Sequence, residues 1–195
     1  MNTIKLFKII GFLKGLYFYI PIFTLFLVTK DISVSAAVFA QGIYSLTTFL
    51  GEVPTGIFAD KFGQKTSIIV GYLLEAVGIA LVLFVPTTWG LYAAFGLRGV
   101  SSSFLSGSEE ALLFESVKAE QKTEKYQKVY ASFLSNEQAG FIVAAAAAGL
   151  AYGQWSDKAF VPLILLTALA VGMAGILALF IKSHNGLVQN QAEGS

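Results

Sequence analysis

Glu52, Glu75, Arg98 and Glu137 stand inside long apolar runs of the sequence. An ionised group in hydrocarbon is costly, so each marks an ion pair, a proton relay or a solute contact. Arg98 keeps its charge at any physiological pH and needs a carboxylate, carbonyls or water. Glu52 and Glu137 are the expected partners, both facing one central cavity, with Glu75 at an interface or bundle contact. A carboxylate in low dielectric can also take up a proton, which makes Glu52 and Glu137 coupling candidates. The alternative for such a pair is structural, fixing helix rotation and nothing more. Tyr17, Tyr19, Gln41, Tyr44, Ser101, Ser102, Ser103, Asn136 and Gln138 add polar groups suited to a wet cavity.

The elements that hold these groups are set by composition. Of 195 residues, 55% are hydrophobic and only 13% charged, and the mean hydropathy is +0.70. The apolar runs are long, and a helix needs roughly 20 mostly apolar residues to cross ~30 Å of hydrocarbon. Spans are expected over residues 11–29, 36–59, 67–85, 89–113, 129–152 and 160–181. Residues 1–182 are thus expected to form an all-α bundle of six transmembrane helices, and 183–195 a short polar cytoplasmic tail. Lys5, Lys8 and Lys14 precede the first run as in a signal peptide. No small-residue cleavage site follows, so an uncleaved helix is expected.

Orientation follows from the lysines. With the N-terminus inside, Lys5, Lys8, Lys61, Lys65, Lys118, Lys122, Lys125, Lys128 and Lys182 lie on the cytoplasmic side, against Lys30 and Lys158 outside. Both termini are expected in the cytoplasm, with Lys14 snorkelling to the inner interface. Gly11/Gly15 and Gly149/Gly153 have the small-xxx-small spacing that lets helix backbones approach. Pro21 and Pro54 predict kinks within spans. The run from Phe160 to Ile181 has no charge and suits a lipid-facing support helix.

The charged turn between the second and third spans carries Gly56, Asp60, Lys61, Gly63 and Lys65. Gly56 suits a tight helix contact, Asp60 a helix end and Gly63 a sharp turn. The lysines face the negative end of the second helix and anionic headgroups. This segment resembles the major facilitator superfamily signature G-x-x-x-D-R/K-x-G-x-R/K. Residues 52–55, Leu97-Arg98 and residues 107–116 resemble further positions of that superfamily, in the same order. The resemblance implies an N-terminal six-helix half built of two inverted three-helix repeats. It also implies that Asp60 contacts the other half, and that Lys61 or Lys65 pairs with Glu115 as a latch. The fifth span lacks the Gly-Pro pair typical of antiporter-type members.

The expected function is secondary transport of a small solute by alternating access in the plasma membrane. A second six-helix half is required, either another copy or a C-terminal half. The alternative is a non-transporting truncated or regulatory fragment. A more remote one is an intramembrane serine hydrolase using Ser106 or Ser108, but the lone histidine, His184, lies in the tail, far from any such serine. An enzyme is therefore not expected, nor is a cofactor or metal: cysteine is absent. Net charge is +1, which gives no electrostatic case for nucleic acid. The expected partners are the bilayer, a small solute and the second half.

Overall fold

The computed structural model describes residues 3–84, 87–120 and 123–181. The tail at 183–195 with His184, the basic residues Lys122 and Lys182, and Val85-Pro86 of the third turn lie outside the described residues. The helices are α1 (Thr3–Gly15), α2 (Phe23–Thr29), α3 (Val34–Phe62), α4 (Gln64–Phe84), α5 (Thr88–Leu105), α6 (Ser108–Ala119), α7 (Tyr126–Trp155) and α8 (Phe160–Ala178). Short 3₁₀ turns at Ile20–Ile22, Thr123–Lys125 and Ser156–Ala159 join some of them.

Two spans expected as single helices are broken. The first starts earlier, at Thr3, and separates into α1 and α2 around the 3₁₀ turn that holds Pro21. α1 ends at Gly15, where the chain bonds Leu16 N to the Leu13 carbonyl (3.1 Å) and Tyr17 N to that of Gly15 (2.7 Å). Pro21 then falls in the first turn of the 3₁₀ segment, where a missing N–H forfeits no helical bond. The fourth separates into α5 and α6 at Ser106-Gly107. Gly107 has φ +71°, a left-handed conformation that glycine adopts without penalty and that ends α5. Pro54, by contrast, leaves α3 helical through 29 residues, about 43 Å of rise.

Ends are otherwise set by local chemistry. Ser33 Oγ accepts from Ala36 N (3.2 Å) and Thr87 Oγ1 from Gly90 N (3.1 Å), each supplying an acceptor to a helix start. Gly63, at φ 88°, closes α3 through its N–H to the Ala59 carbonyl (2.8 Å), and α4 begins at the next residue. The sharp turn expected there is present.

α5 packs between α3 and α4, α4 against α8, and α1 against α7 and α8. The seams are lined by glycine. A Cβ on Gly15 would collide with the Glu137 backbone carbonyl, one on Gly140 with that of Phe12, and one on Gly11 with Phe133. Gly149 and Gly153 face open space instead, so their spacing makes no contact within the bundle. Hydroxyls also tie the helices: Thr55 to the Ser103 carbonyl (2.9 Å), Ser101 to that of Gly71 (2.8 Å) and Ser67 to that of Phe104 (2.7 Å). Ser101 is therefore a buried helix fastener rather than a cavity group, whereas Ser103 turns its hydroxyl back to the Val100 carbonyl of its own helix (2.7 Å).

The outer surface is apolar. Val38, Phe49, Val53 and Leu150 are each about 70% exposed, the reverse of what water selects for in a continuous belt. Among the described residues, four stretches are long and apolar enough to cross a membrane: Thr3–Thr29, Val34–Phe62, Gln64–Phe84 and Thr123–Ala178, the last containing both α7 and α8. α5, with Arg98 and its serines, is not among them. α8 buries one face against α4 and α1 and turns Leu165, Leu169, Met173 and Ile176 outward, as a support helix does.

Candidate functional site

The polar side chains converge where α1 ends. Lys14 stands in the last turn of α1, and the α1–α7 glycine seam brings it close to α7. On α7, Tyr130, Phe133 and Glu137 fall at helical spacing on one face. Lys14 Nζ lies 2.7 Å from Glu109 Oε2 and 3.5 Å from Glu137 Oε2, and 5.6 Å from the centroid of the Phe133 ring. Glu109 is available because the break at Gly107 restarts the helix: it sits in the first turn of α6, where the positive helix end favours a carboxylate. Its other oxygen accepts from the Tyr72 hydroxyl of α4 (2.5 Å). One carboxylate thus joins α1, α4 and α6.

A second cluster lies beside it. Glu75 Oε1 receives Arg98 Nη2 (2.8 Å), Arg98 Nε (2.9 Å) and the Tyr17 hydroxyl (3.1 Å). Four rings surround the guanidinium, those of Phe95, Tyr19, Tyr44 and Tyr17, with centroids 5.4–6.0 Å away. Charge-assisted bonds and ring faces together compensate a cation removed from water.

Both clusters border a cavity of about 440 Å³ whose wall includes Lys14, Tyr17, Glu75, Ser102, Glu109 and Glu137. Glu110 lies on the same wall and accepts a short hydrogen bond from the Tyr130 hydroxyl. A second cavity of about 410 Å³ lies beyond Ser106-Gly107 and is lined by Glu52, Gly56, Asp60 and Gln64 among others. The residues of the helix break form part of both walls.

Several expected placements change. Arg98 pairs with Glu75, not with Glu52 or Glu137. Glu52 is exposed on α3 and borders the second cavity, and Glu137 belongs to Lys14. Lys14 does not snorkel outward, because two carboxylates and a ring hold it inside. Tyr17 lies on the cavity wall. Gln41 is exposed, and Asn136 turns back to the Ser132 carbonyl (2.6 Å). In the turn motif, Gly56 has nothing within 4 Å of an added Cβ. Lys61 lies over the Phe62 ring, and Lys65 donates to the Leu179 carbonyl (2.7 Å), joining the start of α4 to the end of α8. Glu115 Oε2 is buried and, among the described residues, has no hydrogen-bond partner, so neither Lys61 nor Lys65 closes the expected latch onto it. Ser108 donates to Ser67 Oγ (3.0 Å).

Glu109, Glu110, Tyr72 and Tyr130 were not among the expected site residues. The signals in the sequence were the three-residue spacing of Tyr72 and Glu75, and glutamates following a glycine inside an otherwise continuous apolar pattern.

A family model described as Major Facilitator Superfamily matches residues 9–194. The chain is 31% identical to an uncharacterized transporter of Buchnera aphidicola over 94 residues, 48% of this chain and 24% of that protein. It is 25% identical to the inner membrane transport protein YajR of Escherichia coli over 120 residues, 61% of this chain and 26% of YajR. It is 27% identical to the multidrug resistance protein MdtH of Yersinia enterocolitica over 100 residues, 51% and 23% of the two. The chain thus matches about a quarter of the length of each of these relatives.

Proposed function

The chain belongs to the Major Facilitator Superfamily, and from that premise we propose that it forms one six-helix wall of a secondary transporter for a small solute. The spans in this reading are α1 with α2, α3, α4, α5 with α6, α7, and α8, arranged as two inverted three-helix repeats. The lysine-rich end, with both termini, faces the cytoplasm, and the membrane is the plasma membrane. Alternating access comes from rocking against a second six-helix half, supplied by another copy or another polypeptide segment. Transport-related names among the relatives support this reading.

The observation that carries it is the shared ammonium of Lys14. A single cation between Glu109 and Glu137, at the wall of a cavity inside an apolar bundle, has two alternative acceptors. Protonation of Glu137 leaves Lys14 to Glu109, and binding of a solute to either carboxylate redistributes the other. Such a three-group site links occupancy to charge, which a proton-coupled carrier requires. Glu52 and Asp60 border the second cavity, where contact with the other half is assigned.

The test is uptake into proteoliposomes containing the protein, driven by an imposed pH gradient and screened over a panel of labelled small solutes. At least one solute is expected to accumulate above protein-free vesicles, and its pH dependence is expected to flatten in Glu137→Gln. Flux equal to that of empty vesicles for every solute and assembly would assign the chain a non-transporting role. Unchanged pH dependence in Glu137→Gln would remove that residue from coupling.

A further inference from the structure

We infer that the solute of this cavity is an organic cation, specifically a primary amine with an apolar body. The inference rests on the transport reading and gives its site a substrate class. The wall of the cavity already holds such a group, the Lys14 ammonium. Nζ is 2.7 Å from one carboxylate, 3.5 Å from a second and 5.6 Å from the centroid of the Phe133 ring. Carboxylates and a ring face are the partners that hold an ammonium out of bulk water.

The charge balance leaves room for a second cation. Among the described residues, Glu75, Glu109, Glu110 and Glu137 border the cavity, and Lys14 is the cation on its wall. Arg98, behind Glu75, neutralises that residue. Lys14 satisfies one further carboxylate, which leaves an excess of two negative groups facing about 440 Å³ of space. Focused by low-dielectric walls, that excess repels anions and attracts cations. Tyr17, Tyr44, Phe133 and Leu134 supply apolar area for the rest of the molecule. Lys14 is then an internal competitor: an incoming ammonium takes Glu137, and Lys14 retires onto Glu109.

The experiment is equilibrium dialysis of the purified protein in detergent near neutral pH with three probes of similar shape: 2-phenylethylammonium, 2-phenylethanol and 3-phenylpropionate. The ammonium is expected to bind saturably and at least about tenfold more tightly than the alcohol or the carboxylate, as loss of a charge-assisted partner implies. Glu137→Gln is expected to weaken it about tenfold, and Lys14→Met to tighten it by a similar factor. A gain of affinity cannot come from a damaged fold, so the lysine variant separates competition from misfolding. Equal binding of the three probes, or no tightening in Lys14→Met, would overturn the inference. Flux of neutral or anionic solutes without ammonium binding would sink the cation class and leave transport standing. Ammonium binding without flux in any assembly would sink transport and leave the cation site.

Discussion

Glu75→Gln is expected to destabilise the protein by about 3–5 kcal/mol, the range for removing one partner of a buried ion pair. The side chains of Arg98 and Glu75 are only 12% and 6% exposed. Both Nε and Nη2 of the guanidinium meet the same carboxylate oxygen, which also receives the Tyr17 hydroxyl. Removing the charge of Glu75 leaves a guanidinium that cannot deprotonate, enclosed by four rings that replace only part of the lost interaction. Much of the loss comes from leaving one buried charge uncompensated, so the double variant Glu75→Leu with Arg98→Met is expected to recover most of it. Thermal unfolding in detergent, followed by tryptophan fluorescence, reads both. A Glu75→Gln protein within about 1 kcal/mol of the parent would show that other groups already compensate Arg98.

The second large effect is steric. Gly15→Ala and Gly140→Ala each place a Cβ against backbone carbonyls of the opposing helix, those of Glu137 and Phe12. Backbone cannot rotate away as a flexible side chain does, so α1 and α7 must separate. The cost expected is the upper part of the overpacking range, about 3 kcal/mol per site. Gly149→Ala meets nothing within 4 Å and is expected to be neutral or slightly stabilising, since glycine inside a helix costs up to about 1 kcal/mol relative to alanine. The same unfolding assay compares the three, and equal behaviour of all would contradict the seam. Separation here also reaches the site, because Lys14 and Glu137 directly adjoin the contact. The 3.5 Å approach between them depends on two glycines.

The helical class and the placement of most helices were legible in the sequence because apolar runs and charged turns alternate at membrane length. Gly63 was legible too, since a glycine between two helical segments has few other uses. The breaks were not. Pro21 stands at the start of the segment that follows the break and Pro54 lies inside an unbroken α3, so a proline in an apolar run does not by itself mark where a span is interrupted. Gly107 reads equally well as a packing glycine until its positive φ is seen. The partner of Arg98 was hidden for a related reason. Helical spacing says which residues share a face of one helix, but not how the helices are rotated against one another. Glycine seams set that rotation in this fold. They turn Glu75 of α4 toward Arg98, leave Glu52 outside on α3, and bring Glu137 to Lys14. Of the three adjacent serines, Ser102 borders the first cavity, Ser103 the second, and Ser101 is buried against Gly71, a distinction made by helical phase.

An apolar bundle in the membrane is expected to hold a water-accessible polar cavity lined by α1, α3, α4, α5, α6 and α7. Because the chain has no cysteine, single introduced thiols report accessibility without background. Ser102→Cys lines the cavity, and Thr167→Cys is buried in the α8 packing face. In intact membrane vesicles, a membrane-impermeant thiol reagent is expected to label Ser102→Cys from one side only, and to leave Thr167→Cys unlabelled. Labelling of Thr167→Cys with Ser102→Cys inert from both sides would contradict the account.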